Sequence, residues 1–231
     1  MTTQKLQLQA VVSSTICALC FILGVITLKW IAPDLYQFPQ GRLRVILEFG
    51  WLLHLWHFAV FPLLGLAVFF LNRAFVKQSP TTFQKLAILC TVVSFLNLSH
   101  DTTMFIIETM SNEILIRRHF DNDYMQAQLT IDIYAIVNKL RASTEWGIDL
   151  WLFLINVLLL LQRRFHFLLQ LWGIAVGILG MMVLNDAYNH LSMVYLFGMI
   201  TWFTLTSIWL IFEKQQPMLK TQMKAKTQTQ W

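Results

Sequence analysis

Charge is scarce in this chain. Asp, Glu, Lys and Arg make up 13% of its 231 residues, about half of the ~25% usual in a soluble domain. The shortage leaves apolar runs of roughly 20 residues, the length that crosses a hydrocarbon core about 30 Å thick. A soluble fold of this size has no interior large enough for 18 Phe, 9 Trp and 10 Met.

Cysteine is equally sparse. Cys17, Cys20 and Cys90 are an odd number inside apolar runs, which excludes a disulfide framework. Cys17 and Cys20 have C-x-x-C spacing but lie in mid-span, with no polar neighbour to activate a thiol, and read as small packing residues. A cleavage site of the A-x-A kind and lipid-attachment motifs are missing, so the first apolar run is read as a retained span. Complete metal motifs are missing too. The six histidines form no H-x-x-x-H pair and no H-E-x-x-H. Haem held between helices is not offered either, because His54 and His57, the two near mid-depth, share one helix.

What is present predicts an all-α, polytopic membrane protein, a bundle of six transmembrane helices. The spans are expected at about 10–31, 43–71, 83–107, 144–161, 165–184 and 191–212. Together they form one domain over 1–212, followed by a basic tail at 213–231 whose Lys, Gln and Thr content reads as disordered. Pro62 should kink the second span. Between Glu108 and Arg141 the chain is polar, yet Leu129, Ile133, Ile136, Val137 and Leu140 recur at helical spacing. Helices three and four are therefore expected to extend beyond the membrane and meet in an αα-hairpin. The alternative is a separate surface-lying helix at about 124–140.

Six spans put both termini on one side. That side carries ten of the 17 cations and one of the 12 acids. The positive-inside rule then places both termini in the cytoplasm. The net charge of +5 is thus a topology signal and does not point to nucleic acid; the expected partners are the lipid bilayer and a small solute or lipid.

Two polar stripes run through the apolar spans. Asn97, Asp101, Met104 and Glu108 follow i, i+4, i+7, i+11, and Glu145, Asp149, Leu152 and Asn156 repeat that spacing. Each set lies on one helix face. Ionisable groups at membrane depth cost about 2.5–3.5 kcal/mol each, so they face the bundle or a water-filled cavity. The outward half of the bundle holds most of them, and convergence on one outward-facing cavity is expected. Asn97, His100, Asp101, Glu108, Glu145, Asp149 and Asn156 are the candidate ligand-binding residues.

Three functions compete. The first is binding or translocation of a small polar or amphiphilic solute. The second is a metal-dependent intramembrane hydrolase acting on a lipid or amide. There His54, His100, Asp101, Asp186 and His190 would supply ligands of the types that suit zinc or iron. The third is a non-catalytic scaffold or sensor, with the polar groups acting as caps and packing pairs. His57, on an apolar face, reads as a hydrogen-bonded packing residue.

Overall fold

The computed structural model describes residues 3–77, 79–118, 123–144 and 146–228. All regular structure among them is helical. Helix α1 (Thr3–Ile26) is largely apolar from Ala10 onward and ends in a wide π-helical turn, Thr27–Ile31. The Ala32 N–H closes that turn on the Thr27 carbonyl at 2.7 Å. Pro33 then opens a short 3-10 turn, Pro33–Tyr36, where its missing N–H leaves no bond unmade. Helix α2 (Pro39–Phe49) also begins on a proline.

The second apolar run, expected to be continuous over 43–71, is broken. Gly50 adopts φ +46°, a backbone state that residues with a Cβ avoid. It separates α2 from α3 (Trp51–Phe58). A second π-helical turn, Ala59–Leu63, then joins α3 to α4 (Leu64–Val76). Pro62 lies inside this turn, where its ring and absent N–H are incompatible with an unbroken α-helical ladder.

Helix α5 (Gln84–Arg118) runs unbroken for 35 residues, about 52 Å. Helix α6 (Asp123–Thr144) packs back against α5 and also against α2. The remaining helices are α7 (Trp146–Leu161), α8 (Phe167–Val183) and α9 (Ser192–Gln228). The backbone of α9 continues through the segment whose composition reads as disordered; its Gln, Lys, Leu and Met residues are good helix formers.

Packing closes six helices into a ring. In order round the ring, α1 touches α4, α4 touches α5, then come α7, α8 and α9, and α9 returns to α1. Gln7 of α1 donates to the Leu210 carbonyl at 3.0 Å, and Gln9 donates to the Phe70 carbonyl at 3.1 Å. The start of α1, the end of α4 and the later part of α9 therefore lie at one end. At mid-height the centre is filled by Trp151, Leu152, Trp202, Phe203 and Val68. Trp151 stacks on Phe203 with ring centroids 6.4 Å apart and meets Trp202 edge-on at 6.2 Å. A second, smaller core closes the opposite end. It joins Leu35, Val45, Ile46, Leu53 and Trp56 to Leu115 of α5 and to Ile133 and Val137 of α6. Of the apolar face expected for the 124–140 segment, Ile133 and Val137 are thus buried in this core and Leu129 packs against it, while Ile136 is exposed.

Among the described residues, four helical segments are long and apolar enough to cross a membrane: Gln4–Ile31, Trp51–Val76, Thr81–Arg117 and Ser192–Phe212. Helices α7 and α8 are apolar but shorter, at 16 and 17 residues. The outside of the ring is apolar as well, with Leu19, Phe95, Leu168 and Phe197 all more than half exposed. A surface of that kind suits lipid rather than water.

Candidate functional site

The two polar stripes face inward. Asn97, Met104 and Glu108 are buried on α5, and Asp149, Leu152 and Asn156 are buried on α7. Asp101 is half-buried. Glu145 lies outside the described residues. Each of four stripe residues meets a glycine on a neighbouring helix. A Cβ on Gly65 of α4 would stand 2.6 Å from an Asp101 carboxylate oxygen, and one on Gly147 would stand 2.8 Å from Asn97 Oδ1. On α8, a Cβ at Gly180 would collide with the Asp149 carboxyl, and one at Gly173 with the Asn156 amide. Absent side chains thus make the room in which these polar groups sit at close-packed helix interfaces.

Asn156 is satisfied locally. It accepts from Trp202 Nε1 at 3.1 Å and donates to the Leu152 carbonyl at 2.8 Å. It belongs to the filled centre, as does Asn72, which accepts from Trp151 Nε1 at 3.1 Å.

Beyond that centre lies a cavity of about 210 Å³, bordered by α1, α3, α4, α5, α7, α8 and α9. Asn97, Asp101 and Asp149 line it, together with Tyr36 and Tyr195. Asn97 Nδ2 donates to Asp101 at 2.8 Å, and the Tyr195 hydroxyl donates to Asp149 at 2.7 Å. The rest of the wall is apolar or aromatic, with Phe21, Trp56, Phe61, Leu64 and Ile148 prominent. Trp56 is only 7% exposed, and its indole N–H has no hydrogen-bond partner. No Lys, Arg or His side chain is among the described residues that line the space.

Glu108 does not reach this cavity. It sits in a separate polar knot with Arg42, both fully buried, joined by an Arg42 Nη2 to Glu108 Oε2 contact of 2.6 Å. The same Nη2 donates to Asn112 Oδ1 at 2.6 Å. Tyr36 donates to Glu108 Oε1 at 3.0 Å and lies 3.2 Å from His57 Nε2. Since Tyr36 spends its proton on Glu108, His57 Nε2 is the donor to the Tyr36 oxygen, which selects the Nε2–H tautomer. His57 is fully buried, with Trp56 and Phe61 against its ring at centroid distances of 5.0 and 5.9 Å. Tyr36 belongs to both places: it lines the cavity, and its hydroxyl is part of the knot.

His100 is half-buried and does not line the cavity. His54 is half-buried on α3, and His190 is exposed between α8 and α9. The Asp186 side chain lies outside the described set. Among the described residues, no group of three or more His, Cys, Asp and Glu side chains is gathered as a metal would require.

Arg42, Tyr36, Asn112 and Tyr195 were not singled out from the sequence. Arg42 carried a usable signal, because Val45 and Ile46 follow it at i+3 and i+4 and place it on the buried face of a helix. Tyr195 carried none, since one aromatic in an apolar span is ordinary. No protein-family model matches the chain, and no curated protein or solved structure proves similar to it.

Proposed function

We propose that this chain is a six-pass integral membrane protein, with both termini in the cytoplasm, that binds a small amphiphilic solute in the cavity around Asp101 and Asp149. The observation that carries the reading is the cavity itself, whose apolar and aromatic wall is interrupted by two carboxylates and their hydrogen-bonding partners. Ligand sites have this make-up: a mostly apolar concavity with a few placed polar groups. Six passes are supported by the closed ring, in which α7 and α8 occupy places equivalent to the longer helices. The outward face of α8 is also apolar, with Leu168, Leu171 and Trp172 exposed. Trp30, Trp51 and Trp146, all exposed near the end remote from the termini, suit an interfacial belt. Under this reading helices α5 and α6 project beyond the outer face, since about 52 Å of helix exceeds a core of about 30 Å.

Binding is the part of the function this geometry favours. Translocation would require the Trp151, Trp202 and Phe203 cluster below the cavity to part.

The test fills the space. Gly24 borders the cavity, and a Cβ there would meet only Val60, at 3.8 Å. The Gly24→Phe variant is expected to keep its helical circular dichroism and its elution volume in detergent. It should also lose binding of any solute that raises the melting temperature of the parent protein. Solute stabilisation that survives Gly24→Phe unchanged would put the binding site elsewhere.

A further inference from the structure

We propose that the ligand of this cavity is an uncharged molecule little larger than a benzene ring. It presents an oxygen acceptor, as in a carbonyl, ether or hydroxyl, to the indole N–H of Trp56. This rests on the solute-binding reading above and adds the size of the solute and the group by which it is recognised.

Recognition comes from one donor. Trp56 of α3 lines the space and is only 7% exposed. Its indole nitrogen is buried and has no hydrogen-bond partner, although native structures pair nearly all such groups. Two tryptophans of the filled centre show the usual arrangement. Trp151 Nε1 donates to Asn72 and Trp202 Nε1 to Asn156, each at 3.1 Å. No protein acceptor meets Trp56 in that way. An indole N–H can only donate, so the group that meets it must accept. The hydroxyls of Tyr36 and Tyr195, also on the wall, already donate to Glu108 and Asp149.

Size comes from the volume. A dry apolar cavity of about 150 Å³ takes benzene, and the space here is about 210 Å³. That admits a substituted ring or a branched alkyl group bearing one polar head. Phe21, Phe61, Leu64 and Ile148 suit a hydrocarbon body for the rest.

Other occupants answer the donor less well. A protonated amine brings only donors and leaves the indole unmet. A carboxylate could accept, but an ion buried without an opposite charge is costly. No Lys, Arg or His is among the described residues that line the space. A trapped water needs about two to four polar partners, whereas most of this wall is carbon.

The experiment compares acetophenone with isopropenylbenzene, which has a methylene group where the ketone has its oxygen, and with benzoate. Each is titrated calorimetrically into the full chain purified in detergent, with detergent alone as the blank. The affinity ratio of acetophenone to isopropenylbenzene is expected to be about fivefold higher in the parent than in Trp56→Phe, the scale of one neutral hydrogen bond. Comparing ratios cancels the differing hydrophobicity of the solutes and the space left by the smaller ring. Benzoate should not bind. A second readout does not depend on the variant's folding. With the indole nitrogens of the parent isotope-labelled, one of the nine tryptophan N–H resonances should move downfield with acetophenone and not with isopropenylbenzene. An unchanged ratio, or no such shift, would overturn the proposal and leave the solute-binding reading standing. So would benzoate binding as tightly as acetophenone. Binding of none of the three, in a protein that retains its fold, would remove both.

Discussion

At the scale of single residues, the polar groups of this bundle depend on what their neighbours lack. Asp149 occupies space that a methyl group on Gly180 would take, and Asp101 stands in the same relation to Gly65. The Gly180→Ala variant should therefore lose about 1–3 kcal/mol through overpacking, seen as a lower melting temperature in detergent. Gly24→Ala is the matched control. Its Cβ has room, and Ala is favoured over Gly in a helix by about 1 kcal/mol, so it should be neutral or stabilising. If both variants behave alike, the seating of Asp149 against Gly180 is not what fixes it. These positions also show what a single sequence displays. The stripes on α5 and α7 were legible because helical spacing reveals a shared face. The glycines opposite them were not, because nothing in one chain says which glycine faces which aspartate. His57 was read as a hydrogen-bonded packing residue and is one, but its partner Tyr36 lies in a different element, 21 positions away.

At the scale of elements, the Arg42–Glu108 pair decides how α2 is held. Helix α2 is only eleven residues long, and apolar packing is not all that holds it. Here α2 delivers one guanidinium into a fully buried site on α5, and Val45 and Ile46 pack behind it. Removing one partner of such a pair leaves an uncompensated buried charge, costing about 3–5 kcal/mol, whereas replacing both with apolar residues is often neutral. Glu108→Ala should thus be severely destabilising, and the double variant Arg42→Met with Glu108→Met should recover most of the loss. A double-mutant cycle from thermal unfolding measures the difference; losses that simply add would mean the pair does not act as a unit. Arg44, by contrast, pairs with Asp34 at the surface, where an ion pair contributes about 0–1 kcal/mol. Sequence reading counted Arg42 and Arg44 together, among the seven cations away from the side of the termini. It did so because charge is more visible than the amphipathic pattern of an eleven-residue helix. The break at Gly50 was hidden for a related reason, since hydropathy stays high across it and only the backbone turns.

For the whole molecule, the ring and the placement of its ends carry the topology. Both ends of the ring's chain path lie together, and the cationic excess of the sequence falls on that same end. Reporters fused before Met1 and after Trp231 should both report a cytoplasmic location, and one inserted between α5 and α6 should report the opposite side. Termini on different sides would reduce the pass count to an odd number and take one of the shorter helices, α7 or α8, out of the membrane. The all-helical class and the apolar helices were legible from composition and run length alone. The ring order was not, since it is set by which faces interlock rather than by how apolar each face is.

The two π-helical turns have a consequence for how this wall can change over generations. Each holds one residue more than an α-helical ladder can pair, and Leu28, Val60 and Phe61 from those turns border the cavity. Loss of a single residue from Ala59–Leu63 would let the helix heal into an unbroken ladder, rotating everything before it by about 100° relative to α4. Trp56 and His57 would swing away from Glu108 and Tyr36 in one genetic step, while the apolar length of the segment would hardly change. Descent by single-codon deletion or insertion at this turn could therefore re-tool the chamber abruptly, where point substitution would alter it only one side chain at a time.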